Sequence, residues 1–221
     1  IIFKNTTSKI NLNLSFRNAV TDNIIDNNYI YKNEIINITE DVDTINKVNT
    51  SNFREYNNKN ETQFIKINNN TLSFSQGKNI IKSNIIFDEG VNLLIQEGTS
   101  LYLNPNINIL LNGNLKILGD KTNPVIIKNN FEDPWGTFIV TNSKDTVIIK
   151  NLKISGGSEN YFNGISSTSQ LSIFNSNVII ENSIFSNSKG EDALNVKNGN
   201  VLLNDILFED SYSDAFDGDK V

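Results

Sequence analysis

The sequence predicts an all-β chain folded as a single-stranded parallel β-helix, a solenoid of short stacked coils behind a small N-terminal cap, and three observations carry that prediction. The first is a returning register. Val147-Ile148-Ile149-Lys150-Asn151, Val178-Ile179-Ile180-Glu181-Asn182 and Val201-Leu202-Leu203-Asn204-Asp205 open similar segments, each closing on an apolar residue three positions later, at Ile154, Phe185 and Phe208. The second runs in phase with it, because Asp192-Ala193-Leu194-Asn195 is followed 22 residues later by Asp214-Ala215-Phe216-Asp217. The third is that these β-branched runs are divided by Asn, Asp, Gly and Ser. Segments this short cannot bury their own apolar faces, and a repeat of this size buries them by stacking on its neighbours.

Taken in order, residues 1 to 76 do not share the coil pattern and are expected to form the cap, because the end of a solenoid exposes unpaired backbone that something must cover. Ile10, Leu12, Leu14 and Phe16 alternate with polar residues, the period of a strand with one buried face. Asp43 to Tyr56 carries Ile45, Val48 and Phe53 at partly helical spacing, which predicts a short helix capped by Asp or Thr. From residue 77 to 221 the sequence reads as the β-helix. Ile85-Ile86-Phe87, Leu93-Leu94-Ile95, Leu101-Tyr102-Leu103, Ile109-Leu110-Leu111, Leu115-Lys116-Ile117 and Val125-Ile126-Ile127 follow one another across breaks that contain glycine. Pro124 and Pro134 stand beside strand starts, where a missing N–H does little harm. Val147 to Val178 is longer than Val178 to Val201 by about a third of a coil, and the excess falls around Gly156 to Gln170. The register is expected to run on past Val221.

Composition sets outer bounds on function. The formal net charge is −6 and no basic patch is visible, which argues against nucleic acid as a partner. Cysteine and histidine are both absent, so thiolate chemistry, disulfides and the commonest transition-metal ligand are missing from these residues. No apolar run approaches the length of a transmembrane helix. About forty asparagines suit coil corners, where Asn tolerates a left-handed backbone; an AT-rich genome produces the same bias.

Gly113-Asn114-Leu115 with Gly119, then Pro124-Val125-Ile126, then Trp135-Gly136-Thr137-Phe138 resemble the early coils of bacterial surface and secreted proteins of the pectate-lyase-like superfamily. That resemblance implies a right-handed β-helix, export to the cell surface or medium, and a polysaccharide or surface glycan as partner. Gly190-Glu191-Asp192-Ala193-Leu194-Asn195-Val196-Lys197-Asn198-Gly199 resembles a segment of polygalacturonase-type glycoside hydrolases, which implies acid and base roles for Glu191 and Asp192, with Asp214 beside them. Where those hydrolases carry a further Asp and a His, this protein has Tyr161-Phe162-Asn163-Gly164 and Ser213-Asp214-Ala215-Phe216.

The acidic row of Glu191, Asp192, Asp214, Asp217 and Asp219 is therefore the leading candidate site, with three readings open. Residues one coil apart stack at about 4.8 Å, so Asp192 and Asp214 are expected as neighbours. The row either holds corner turns by hydrogen bonding, or binds Ca2+ through Asp192, Asp214, Asp217 and Asp219, or supplies the carboxylate pair of a glycosidase. Tyr161, Phe162 and Lys197 are candidate substrate-binding residues: the aromatic pair is either a sugar-stacking platform or folds back over the coil. Lys197 or Lys220 as the base of a lyase is a further alternative, disfavoured because neighbouring aspartates raise a lysine's pKa. The expected function is glycan binding, or processing as a hydrolase or lyase, through the coils after Gly156. The competing expectation is a non-catalytic spacer or adhesin stalk.

Overall fold

The computed structural model describes residues 15–17, 24–26, 46–54, 57 and 63–221. Within residues 1–40 the described part is an antiparallel ladder of β1 (Ser15–Arg17) and β2 (Ile24–Asp26). The alternation read from Ile10 meets the described residues only from Ser15 onward. Residues 41–221 form a second compact unit, which holds the candidate site.

Among its described residues that unit is all-β apart from helical residues at Phe53, Arg54 and Asn57, and it visits three parallel ladders in fixed order. It opens with β3 (Asn46–Val48), β4 (Phe64–Lys66), β5 (Thr71–Phe74) and β6 (Gly77–Ile81). Next come β7 (Ile85–Phe87), β8 (Asn92–Gln96) and β9 (Thr99–Leu103), then β10 (Ile109–Asn112), β11 (Leu115–Leu118) and β12 (Val125–Asn129). These are followed by β13 (Phe138–Thr141), β14 (Val147–Lys150) and β15 (Leu152–Ser155), then a hairpin of β16 (Asn160–Phe162) and β17 (Ile165–Ser167). Last are β18 (Ser169–Phe174), β19 (Val178–Ser186), β20 (Asp192–Lys197), β21 (Val201–Glu209) and β22 (Asp214–Asp219).

The first ladder runs β3-β7-β10-β13-β18-β20-β22. The second holds β5, β8, β11, β14 and the front halves of β19 and β21; the third holds β6, β9, β12, β15 and their rear halves. Each strand thus lies parallel to its counterpart one return earlier, and like residues form columns. Ile95, Ile117, Ile149, Ile180 and Leu203 face one another down the second ladder. Leu101, Ile127, Ile154, Phe185 and Phe208 do so down the third, where the rings of Phe185 and Phe208 stack at 5.3 Å. Both registers read from the sequence are present: Val147, Val178 and Val201 are partners, and so are Asp192 and Asp214. Val178 is buried and Val201 packs half-buried on the same core.

Asparagine makes the corners. Asn142, Asn175 and Asn198 follow the first ladder with φ between 50° and 57°, and Asn151 and Asn182 turn the backbone between the second and third at φ 49°. In this left-handed region Asn is among the few residues tolerated, because its short amide bonds locally. The first corner also stacks its amides: Asn142 donates to Asn112, Asn175 to Asn142 and Asn198 to Asn175, at 3.1–3.2 Å. Each bond joins one return to the next, so the corner reinforces the ladders beside it.

The structure departs from expectation near the start of this unit. Part of the helix expected over Asp43–Tyr56 is strand β3, whose Val48 is fully buried and which pairs with β7. Sheet pairing outweighs the weak helical spacing there. The helical turn that follows is capped by Asn49, whose Oδ1 accepts the N–H groups of Ser51 and Asn52 at 2.8 and 3.0 Å. Within this unit, β3 and β5 already join the parallel ladders before residue 77, and β4 pairs antiparallel with β5 to end the second one. Residues 41–45, 55–56 and 58–62 lie outside the described set.

Candidate functional site

The outward positions of the first ladder form one row: Ile86, Leu110, Ile139, Ser172, Asn195 and Asp217. Its chemistry changes halfway along. Ile86, Leu110 and Ile139 are buried although they face away from the main core, because Phe162 of the β16–β17 hairpin packs on them with Ile165 and Phe174. The hairpin occupies the extra length noticed in the sequence. Its turn is Asn163-Gly164, with φ of 48° and 82°, the two-residue turn that matches the twist of paired strands.

Beyond the hairpin the row is polar and densely bonded. Thr137 Oγ1 lies 2.6 Å from Ser167 Oγ, which lies 2.7 Å from Ser172 Oγ, which in turn lies 2.8 Å from Ser169 Oγ. All four residues are buried. One residue along, Thr168 Oγ1 donates to Asp192 Oδ2 at 2.6 Å. The Asn195 amide reaches both neighbouring carboxylates, donating to Asp217 Oδ2 at 2.6 Å and more weakly to Asp192 Oδ2 at 3.5 Å. Asn195 Oδ1 is buried and has no partner among the described residues.

Asp192 is placed by its backbone as much as by its carboxyl group. Its N–H donates to the Thr168 carbonyl at 3.0 Å, and its carbonyl accepts the Ser188 hydroxyl at 2.7 Å. Gly190 allows the approach, since a Cβ there would collide with the Glu159 amide nitrogen and the Thr168 carbonyl. Asp192 is only 3% exposed. Burial raises its pKa above the ordinary carboxylate value, and the nearby charges of Asp217 and Asp214 raise it further, against the Thr168 and Asn195 bonds that favour the anion. The result is a carboxyl group that holds its proton to higher pH than a free aspartate.

The other residues expected at the site fall as follows. Asp214 is exposed and stands in register with Asp192; its N–H donates to the Glu191 carbonyl at 2.8 Å. Glu191 is exposed, and its backbone N–H faces Glu159 Oε2 at 3.4 Å. Lys197 is paired with Asp219 at 3.0 Å, which occupies both. Tyr161 is 72% exposed on the hairpin, whereas Phe162 is 6% exposed and turned into the apolar row, so only Tyr161 presents a ring to solvent. Asp192, Asp214, Asp217 and Asp219 lie on the neighbouring strands β20 and β22, and among the described residues no three His, Cys, Asp or Glu side chains form a group placed to hold a metal ion.

Thr168 and Asn195 are the participants that the sequence reading missed. A signal for Asn195 was present, since Asp192-x-x-Asn195 recurs as Asp214-x-x-Asp217 in the same register. For Thr168 the signal was weaker, a run of hydroxyls at Ser166 to Ser169 inside the added length.

Comparison of this protein with protein-family models, with curated proteins and with solved structures finds no match. The assignment of a role therefore rests on the geometry above.

Proposed function

We propose that the three ladders wind as a right-handed parallel β-helix of pectate-lyase-like type, and that the outer face around Asp192 binds and cleaves a glycan at the cell surface or in the medium. The handedness is supported by a general rule: parallel strands of one sheet are joined by right-handed crossovers in nearly all proteins. The glycan reading is carried by one observation, the buried, proton-retaining Asp192 beside Asp217, with one amide spanning both carboxylates. Glycoside hydrolysis needs a protonated acid for the leaving oxygen and a second carboxyl group for water or the sugar. Asp192 takes the acid role. Asp217 or the exposed Asp214 takes the second, Thr168 and Asn195 hold the acid in position, and Tyr161 supplies a stacking face.

A second reading is favoured by a different observation: Asp192, Asp217 and Asp219 are all answered by protein groups, as expected of a rigid spacer without a ligand. Binding and product release on polyuronic and neutral polysaccharides separate the two. The glycan reading expects Tyr161→Ala to weaken binding about tenfold. It expects Asp192→Asn to preserve binding while cutting product release by about 100-fold or more. Absence of both binding and product across the panel leaves the spacer.

A further inference from the structure

The sequence has three Asn-Gly dipeptides, Asn112-Gly113, Asn163-Gly164 and Asn198-Gly199, and the fold treats one of them differently. Asn-Gly is the most reactive context for spontaneous loss of ammonia, because a following residue that lacks a Cβ lets its backbone nitrogen reach the asparagine Cγ. That approach is possible only where the amide can leave its own contacts. Asn112 and Asn198 are the two ends of the corner ladder, accepting from Asn142 and donating to Asn175. Their glycines are also enclosed: a Cβ on Gly113 or Gly199 would collide with the carbonyl of Val91 or Ser176. Asn163 and Gly164 are both exposed, the Asn163 amide has no hydrogen-bond partner among the described residues, and nothing lies within 4 Å of the Cβ position of Gly164. The turn closes a ladder only three residues long, so it opens locally without unfolding the rest.

We propose that Asn163 is the site at which this protein modifies itself. The Gly164 nitrogen attacks Cγ of Asn163, a new C–N bond forms, and the Cγ–Nδ2 bond of the asparagine amide breaks. Ammonia leaves with the proton that Gly164 gave up. One water then opens the resulting cyclic imide at either carbonyl, giving aspartate or isoaspartate at position 163. The isoaspartyl product adds a backbone atom to a two-residue turn, which cannot then keep the Asn160–Ser167, Tyr161–Ser166 and Phe162–Ile165 pairing. Phe162 is displaced from Ile86, Leu110 and Ile139, and Ser167 from its bonds to Thr137 and Ser172. Thr168, the next residue, carries the disturbance to Asp192. The modification thus uncovers the apolar half of the outer row and loosens its polar half in one event.

The test is to incubate the folded protein at mildly alkaline pH and follow each Asn-Gly dipeptide by peptide mass analysis, with isoaspartyl methyl transfer as a second readout. A free peptide spanning Tyr161 to Ser166 serves as the reactivity standard. The expected result is conversion at Asn163 about five- to tenfold faster than at Asn112 or Asn198, the factor lost when one ladder bond must break before attack. Binding of a fluorescent apolar dye should rise in step with the isoaspartyl product, and Asn163→Gln should suppress both. Conversion of the free peptide while Asn163 of the folded protein stays intact overturns the proposal, as does equal or faster conversion at Asn112 or Asn198. Conversion at Asn163 without any gain in dye binding overturns the structural consequence.

Discussion

At the scale of single residues, the left-handed corner and the buried acid make opposite demands, and each is separately measurable. Asn175 sits at φ 50°, donates its amide to Asn142 and accepts from Asn198. Substitution by Gly keeps the backbone conformation and loses the ladder bonds, whereas Ala loses both. Asn175→Ala is therefore expected to cost about 1–2 kcal/mol more than Asn175→Gly in urea unfolding. Equal losses would place the whole effect in the amides. Asp192 has its folded pKa raised from the ordinary 3.8, so in the window between that value and the raised one the native state holds more protons than the unfolded state. Stability from this group consequently falls as pH rises through the window. Asp120 works the other way: the Thr122 hydroxyl and backbone N–H hold its pKa low, so its contribution is present above the ordinary value and is lost as pH falls through the lowered one. Asp192→Asn should flatten the decline of stability on the alkaline side of pH 3.8 and leave the acid-side loss in place. An unchanged profile in unfolding titrations across pH would show that burial does not load this carboxyl.

At the scale of elements, the β16–β17 hairpin decides what the outer face of the first ladder presents. It is an antiparallel piece in a set of parallel ladders, and Phe162 fixes it by covering three apolar residues that would otherwise face water. Phe162→Ala removes that cover and should cost the hairpin about 2–3 kcal/mol of burial. Faster amide exchange at Tyr161 to Ser167 is the readout, with the ladders behind retaining their protection. If exchange accelerates in β7, β10 and β13 as well, the hairpin is part of the core rather than a separable cover.

At the scale of the whole molecule, ladders of stacked strands gain stability from neighbour to neighbour, and their ends are the costly parts. The first described returns are made by β3, β5 and β6, with β4 closing the second ladder antiparallel. A truncated variant beginning at Gly77 lacks β3, β4 and β5, leaving the edges of β7 and β8 bare. It should melt at lower temperature and associate more readily. An unchanged melting temperature and a monodisperse product would show that the strands before Gly77 cap nothing.

Much of this was legible in the sequence, because parallel stacking writes itself into a period. Val147, Val178 and Val201 came out as partners since every return must bring an apolar residue to the same column, and Asp192 met Asp214 for the same reason. The extra length between Val147 and Val178 likewise located the hairpin. What tertiary structure alone decided lies across the period rather than along it. Phe162 turns inward because an apolar row happens to lie beneath the hairpin, and neither strand of that hairpin encodes the row. Asn46 to Val48 became strand because β7 offered a partner edge that partly helical spacing could not outweigh. Thr168 and Asp192 belong to different returns, and their meeting depends on the glycine at position 190 letting two segments approach. A carboxyl's proton affinity follows from such neighbours and from exclusion of water, which no single segment contains.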